Sequence, residues 1–146
     1  MSSTTIAPAI ATRSAVTPWR RRLASGLLAV AAISALGSAA VDIAGLATAD
    51  PELKVLEAWR AYGLVVFAGL FIPLALRPRA MRGVWELAIF DKAALTLTAA
   101  AWLSAEPPVA GATAVVAIDG ALTVLLVAAY LLTRAWTAWR PTRPSA

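Results

Sequence analysis

The sequence predicts an all-α integral membrane protein, a four-transmembrane-helix bundle with both termini in the cytoplasm. Three observations predict it. Apolar residues make up 60% of the chain and charged residues only 14%, with a mean hydropathy of +0.75, a balance foreign to soluble domains. The apolar residues gather into four runs, each long enough, at roughly 20 residues, to cross a hydrocarbon core about 30 Å thick. The arginines collect at one set of run ends and the loop acids at the other, as in a chain that crosses a membrane an even number of times.

Residues 1–18 are rich in Ser, Thr, Ala and Pro, carry one charge at Arg13 and lack helical periodicity, which predicts a disordered tail. Trp19-Arg20-Arg21-Arg22 then leads into a first span over 23–47. A basic group before an apolar run is also the layout of an export peptide. This run is too long for one, and Ala47-Thr48-Ala49-Asp50 makes only a passable cleavage site, so it reads as a retained span. Within it Ser34, Ser38 and Asp42 follow at four-residue intervals, with Gly37 and Gly45 beside them. Such a row is either a face where a neighbouring helix packs closely or a polar pocket wall ending in Asp42.

Asp50-Pro51-Glu52-Leu53-Lys54 makes a short acidic loop, with Pro51 suited to a helix start, and the second span covers 55–76. Glu57, Trp59, Arg60 and Tyr62 fall in its first two turns, and Glu57 and Arg60 are spaced to pair on one face at the membrane edge. Pro73 removes the backbone bond to Gly69 and predicts a kink or loosened turn.

The basic loop Arg77-Pro78-Arg79-Ala80-Met81-Arg82-Gly83 precedes a third span over 84–104. Glu86 lies four residues beyond Arg82 and is expected to pair with it at the interface. Asp91 and Lys92 are deeper, roughly 10 Å from the inner end. Adjacent residues point about 100° apart on a helix, so the two are expected to need different partners. Asp91 shares a face with Thr98 and Trp102, and Lys92 lies above Thr96. This polar arc must face protein or water, since an unpaired central charge costs on the order of 3 kcal/mol.

Ala105-Glu106-Pro107-Pro108 forms the last loop before a fourth span over 112–133, in which Asp119, Thr123, Tyr130 and Thr133 recur along one face. Given the length of a lysine, Lys92 with Asp119 is the preferred interhelical pair. Residues 136–146 read as a basic, interfacial and disordered tail.

Arg13, Arg20, Arg21, Arg22, Arg77, Arg79, Arg82, Arg134, Arg140 and Arg143 fall on one side of a four-span chain, against Lys54 with Asp50, Glu52 and Glu106 on the other. The positive-inside rule then puts both termini in the cytoplasm of a cell whose inner (plasma) membrane the chain crosses as a multi-pass protein. Trp19, Trp85, Trp136 and Trp139 make an inner aromatic belt and Trp59 and Trp102 an outer one. The net charge of +5 and the pI near 10.8 follow from the inner flanks. They imply contact with anionic membrane lipids and need no nucleic acid.

What is missing excludes more than what is present. With no cysteine and no histidine, the chain lacks thiolate metal sites, disulfides, the usual haem and zinc ligands and the easiest general base near neutral pH. No metal or cofactor is expected. The embedded ionisable groups are Asp42, Glu57, Asp91 and Asp119 against Arg60 and Lys92, with Glu86 interfacial. More acids than bases predicts that one or two carboxyls hold a proton.

The four-span layout, the stretch Arg60-Ala61-Tyr62-Gly63-Leu64-Val65-Val66-Phe67-Ala68-Gly69-Leu70 and the basic turn from Arg77 to Arg82 resemble the DoxX-like small bacterial membrane proteins. The Ala, Arg, Trp and Pro usage is similar to that of actinobacterial proteins. The resemblance implies a membrane helical bundle and brings no catalytic motif with it. The four-helix sterol-isomerase-like fold uses acids with a histidine, which this chain lacks. Small multidrug exporters place a glutamate mid-way along the first span, where this chain has none.

Three function classes follow. The first is a protein whose polar cavity binds a lipophilic small molecule or docks a membrane partner, a second copy included. In the second, an intramembrane isomerase or cyclase, Asp91 or Asp119 is the acid and Lys92, Arg60 and Glu57 are charge partners. Trp59, Tyr62, Phe90 and Trp102 would then stabilise positive charge. Asp42, Thr98, Thr123 and Tyr130 complete the candidate ligand-binding set. The third class is a proton-coupled transporter of small cations working as a homodimer.

Overall fold

The computed structural model describes residues 16–81, 83–107 and 109–139. Four helices follow in order, α1 Pro18–Gly45, α2 Lys54–Leu76, α3 Val84–Trp102 and α4 Ala112–Thr133, and a short 3-10 helix Ala135–Trp139 closes the described chain. The expected segments are helical to within two residues except at the start of α1, which lies earlier: Pro18 takes a first-turn position where its missing N–H costs nothing, and the arginines that follow are helical. Of the tail expected over 1–18, residues 1–15 lie outside the described ones, and Val16 and Thr17 lead directly into α1. The tail expected from 136 begins instead as part of the 3-10 helix.

α1, α2 and α4 are each long and apolar enough to cross a membrane. α3, of 19 residues, is long enough too, but Glu86, Asp91 and Lys92 all fall within it. Large apolar side chains such as Val30, Ile33, Val41, Val65, Leu97 and Val124 lie exposed on the outside of the bundle, which suits hydrocarbon and not water.

α1 packs along both α2 and α4, α3 packs along α4, and α2 meets α3 over a short stretch only. The buried face of α1 is Ala24, Leu28, Ala31, Ala32, Ala35 and Ala39, nearly all alanine, so two neighbours can approach its backbone closely. Close packing of small residues therefore occurs on α1, but not on the row the sequence suggested. Ser34, Gly37 and Ser38 are exposed, and a Cβ added at Gly37 or Gly45 would meet nothing within 4 Å.

The continuous core lies toward one end of the bundle, where Leu28, Phe71, Leu74, Trp85 and Leu126 interlock. Ser25 Oγ donates to Ala75 O at 2.6 Å there and ties α1 to the last turn of α2, which stays helical past Pro73. Trp85 corrects a second expectation. It is no interfacial anchor but a buried core residue, its Nε1 donating to Pro78 O at 2.8 Å and its ring edge-on to Tyr130. Gly83 and Gly111 enter α3 and α4 in the left-handed conformation that glycine adopts without a Cβ clash.

Candidate functional site

Lys92 belongs by register to the buried face of α3, in line with Trp85, Ala88 and Ala99 at three- to seven-residue steps. An ammonium is thus delivered to a position that packing would fill with an alanine. Its Nζ is held from three helices. Asp119 Oδ1 of α4 lies at 3.1 Å, Asp91 Oδ2 of α3 at 3.3 Å, and the Phe67 ring of α2 faces it with the centroid at 3.7 Å. The ring face carries partial negative charge and so supplies a third favourable contact.

The expected pair Lys92–Asp119 is present. Gly120, next to Asp119, faces Thr96 across the contact between the two helices, where a Cβ would sit 3.4 Å from Thr96 Cγ2, at the edge of ordinary contact. The expectation that Asp91 and Lys92 need separate partners is corrected: the lysine chain folds back far enough to serve both carboxylates. The service is unequal. The Asp119 side chain is 15% exposed and the Lys92 side chain 7%, whereas Asp91 keeps 39% of its side-chain surface open. Asp91 Oδ2, itself buried, accepts no hydrogen bond among the described residues.

A second charge site lies toward the other end. Arg60 Nε and Nη2 donate to Asp42 Oδ2 and Oδ1 at 2.9 and 3.0 Å, a bidentate fork between α2 and α1. The expected Glu57–Arg60 pair is therefore replaced by Asp42–Arg60, and Glu57 makes no ion pair among the described residues. A signal for this was present in the sequence. In an antiparallel hairpin turning at Pro51, residues whose numbers sum to 102 lie level, and 42 and 60 do so.

Glu86 makes a third polar site. Its expected partner Arg82 lies outside the described residues. Glu86 Oε1 accepts from Tyr130 Oη at 2.9 Å and from Trp139 Nε1 at 3.0 Å, so it joins α3 to α4 and to the 3-10 helix. Sequence reasoning missed Trp139 as a partner because the residues after α4 read as a tail. Tyr130 accordingly stands with Glu86, Trp85 and Trp136, away from Asp119.

The remaining candidates do not converge on the Lys92 cluster. Trp59 and Tyr62 border an open apolar groove of about 520 Å³ on the outer side of α2, with Val55, Ala58, Gly63 and Val66. Phe90, Thr98 and Trp102 are exposed along α3. Thr123 Oγ1 donates to Asp119 O and Thr96 Oγ1 to Lys92 O, each at 2.7 Å, so these hydroxyls serve their own helices. Asp91, Thr98 and Trp102 do share one open face, as the sequence implied. No protein-family model matches this chain, and neither does any curated protein or solved structure.

Proposed function

We propose that this is a four-span protein of the inner (plasma) membrane, both termini cytoplasmic, that docks a membrane partner through the Asp91 face of α3. The reading of α3 as a span rests on the pairing of its charges. Lys92 is neutralised by Asp119 and Asp91, and Glu86 lies within a turn of the helix start. The arginine-rich ends support the orientation.

One observation carries the docking reading: Asp91, about 10 Å along α3, keeps 39% of its side-chain surface open on the outside of the helix although its Oδ2 is buried against Lys92. Lipid tails offer it no donor, and leaving such a group against hydrocarbon costs on the order of 3 kcal/mol. A neighbouring helix that donates a hydrogen bond or presents a cation removes that cost. Thr98 and Trp102 on the same open face supply the apolar and hydroxyl surface around it, and Phe90 is exposed beside that face. The outward positions of Trp59, Tyr62, Phe90 and Trp102 favour docking over a cation-stabilising cavity, because they do not enclose Asp91 or Asp119.

The absence of cysteine makes the test clean. Thr98→Cys introduces the chain's sole thiol on the Asp91 face, two turns away. In native membranes it is expected to cross-link to one defined protein, a second copy or another chain. Adding Asp91→Leu should abolish the adduct while the purified protein stays monodisperse. An adduct unaffected by Asp91→Leu, or none at all, would sink the proposal.

A further inference from the structure

At the end of the bundle where α1 begins and α2 stops, a cleft of about 520 Å³ is lined by Val16, Arg21, Leu76, Arg77, Arg79 and Thr133 among others. That volume lies in the range of small-molecule sites, about 300–1,000 Å³. Three guanidinium-bearing residues line it and no carboxylate does. Arg79 is fixed by its Nε, which donates to Thr133 O at 3.2 Å. Arg21 and Arg77 form no ion pair among the described residues. Like charges gathered from α1 and the α2–α3 turn repel one another, and an anion between them reverses that repulsion.

We infer that this cleft is a discrete binding site for the phosphate of an anionic phospholipid headgroup. The guanidinium fork matches phosphate oxygens in pairs, and basic pockets between helices on the cytoplasmic side bind such headgroups. The lipid is favoured over free phosphate by the other half of the lining. Val16 and Leu76 stand beside the arginines, and Leu76 is exposed at the last turn of α2. A ligand that joins a phosphate to hydrocarbon contacts both surfaces, whereas inorganic phosphate contacts only the arginines. The inference rests on the proposed membrane topology, but the site is separate from Asp91 and does not depend on what Asp91 docks.

The experiment uses the full chain, delipidated in detergent and titrated with phosphatidylglycerol or phosphatidylcholine, with bound lipid counted by native mass spectrometry. Wild type is expected to prefer phosphatidylglycerol. Arg21→Ala with Arg77→Ala should weaken that preference roughly tenfold or more. Arg20→Ala with Arg22→Ala removes the same charge from side chains outside the cleft lining and should leave it nearly intact. Because Arg20, Arg21, Arg22 and Arg77 form no ion pair among the described residues, both double variants should keep wild-type helicity and elution. Equal losses in the two variants would reduce the effect to diffuse surface charge and overturn the site. Displacement of the lipid by an equal concentration of inorganic phosphate would overturn the lipid assignment.

Discussion

The Asp42–Arg60 and Lys92–Asp119 pairs join neighbouring helices with opposite charges at nearly the same distance, 2.9 and 3.1 Å, yet they sit in different solvents. Arg60 leaves 63% of its side chain open near the end of α2, where a long side chain reaches water. Lys92 leaves 7% open among three helices. An exposed pair competes with hydration and adds about 0–1 kcal/mol. A buried pair adds little against an apolar replacement, but losing one member strands the other and costs about 3–5 kcal/mol. Burial, more than distance, therefore decides which pair the bundle depends on.

The comparison breaks first at Lys92. Lys92→Met leaves Asp91 and Asp119 facing each other without a cation, and should destabilise the protein by about 3–5 kcal/mol in detergent denaturation. Pairing it with Asp119→Leu removes the nearest stranded acid and should restore most of the loss. If Lys92→Met melts with wild type, the ammonium contributes nothing to the bundle.

Asp119→Asn gives an intermediate effect, about 2 kcal/mol, because Asp91 still neutralises the ammonium. The same melting curve reads it. A loss as large as that of Lys92→Met would mean that Asp91 does not share the charge. At the weak end, Arg60→Met should cost no more than about 1 kcal/mol, and its small effect should shrink further in high salt. A cost near that of Lys92→Met would erase the distinction between the two sites.

Much of this was legible in the residues. The four helices follow from apolar runs punctuated by Pro51, the Arg77–Gly83 turn and the Pro107 region, because helix breakers and loop charges mark ends strongly. Lys92 with Asp119 was legible because only a long side chain could bridge the offset between them. Asp42 with Arg60 is less legible, because the spacing of Glu57 and Arg60 along one helix is local while the Asp42–Arg60 pair depends on how α1 and α2 lie level across their hairpin. Trp85 was misplaced because a tryptophan near a helix end ordinarily marks an interface, and here the Pro78 carbonyl offers its N–H a partner inside the core.

By itself, then, the sequence determined how many helices form, where they end and which charges must be shielded, since length, hydropathy and breakers are properties of the chain alone. The tertiary structure decided how each helix is turned. These helices are apolar nearly all round, so no hydrophobic stripe selects the inward face. Rotation is set instead by where small residues let backbones meet, Ala24 to Ala39 on α1 and Ala88 to Ala99 on α3. That rotation carries Lys92 inward and leaves Asp91, one residue earlier, half open on the outside of α3.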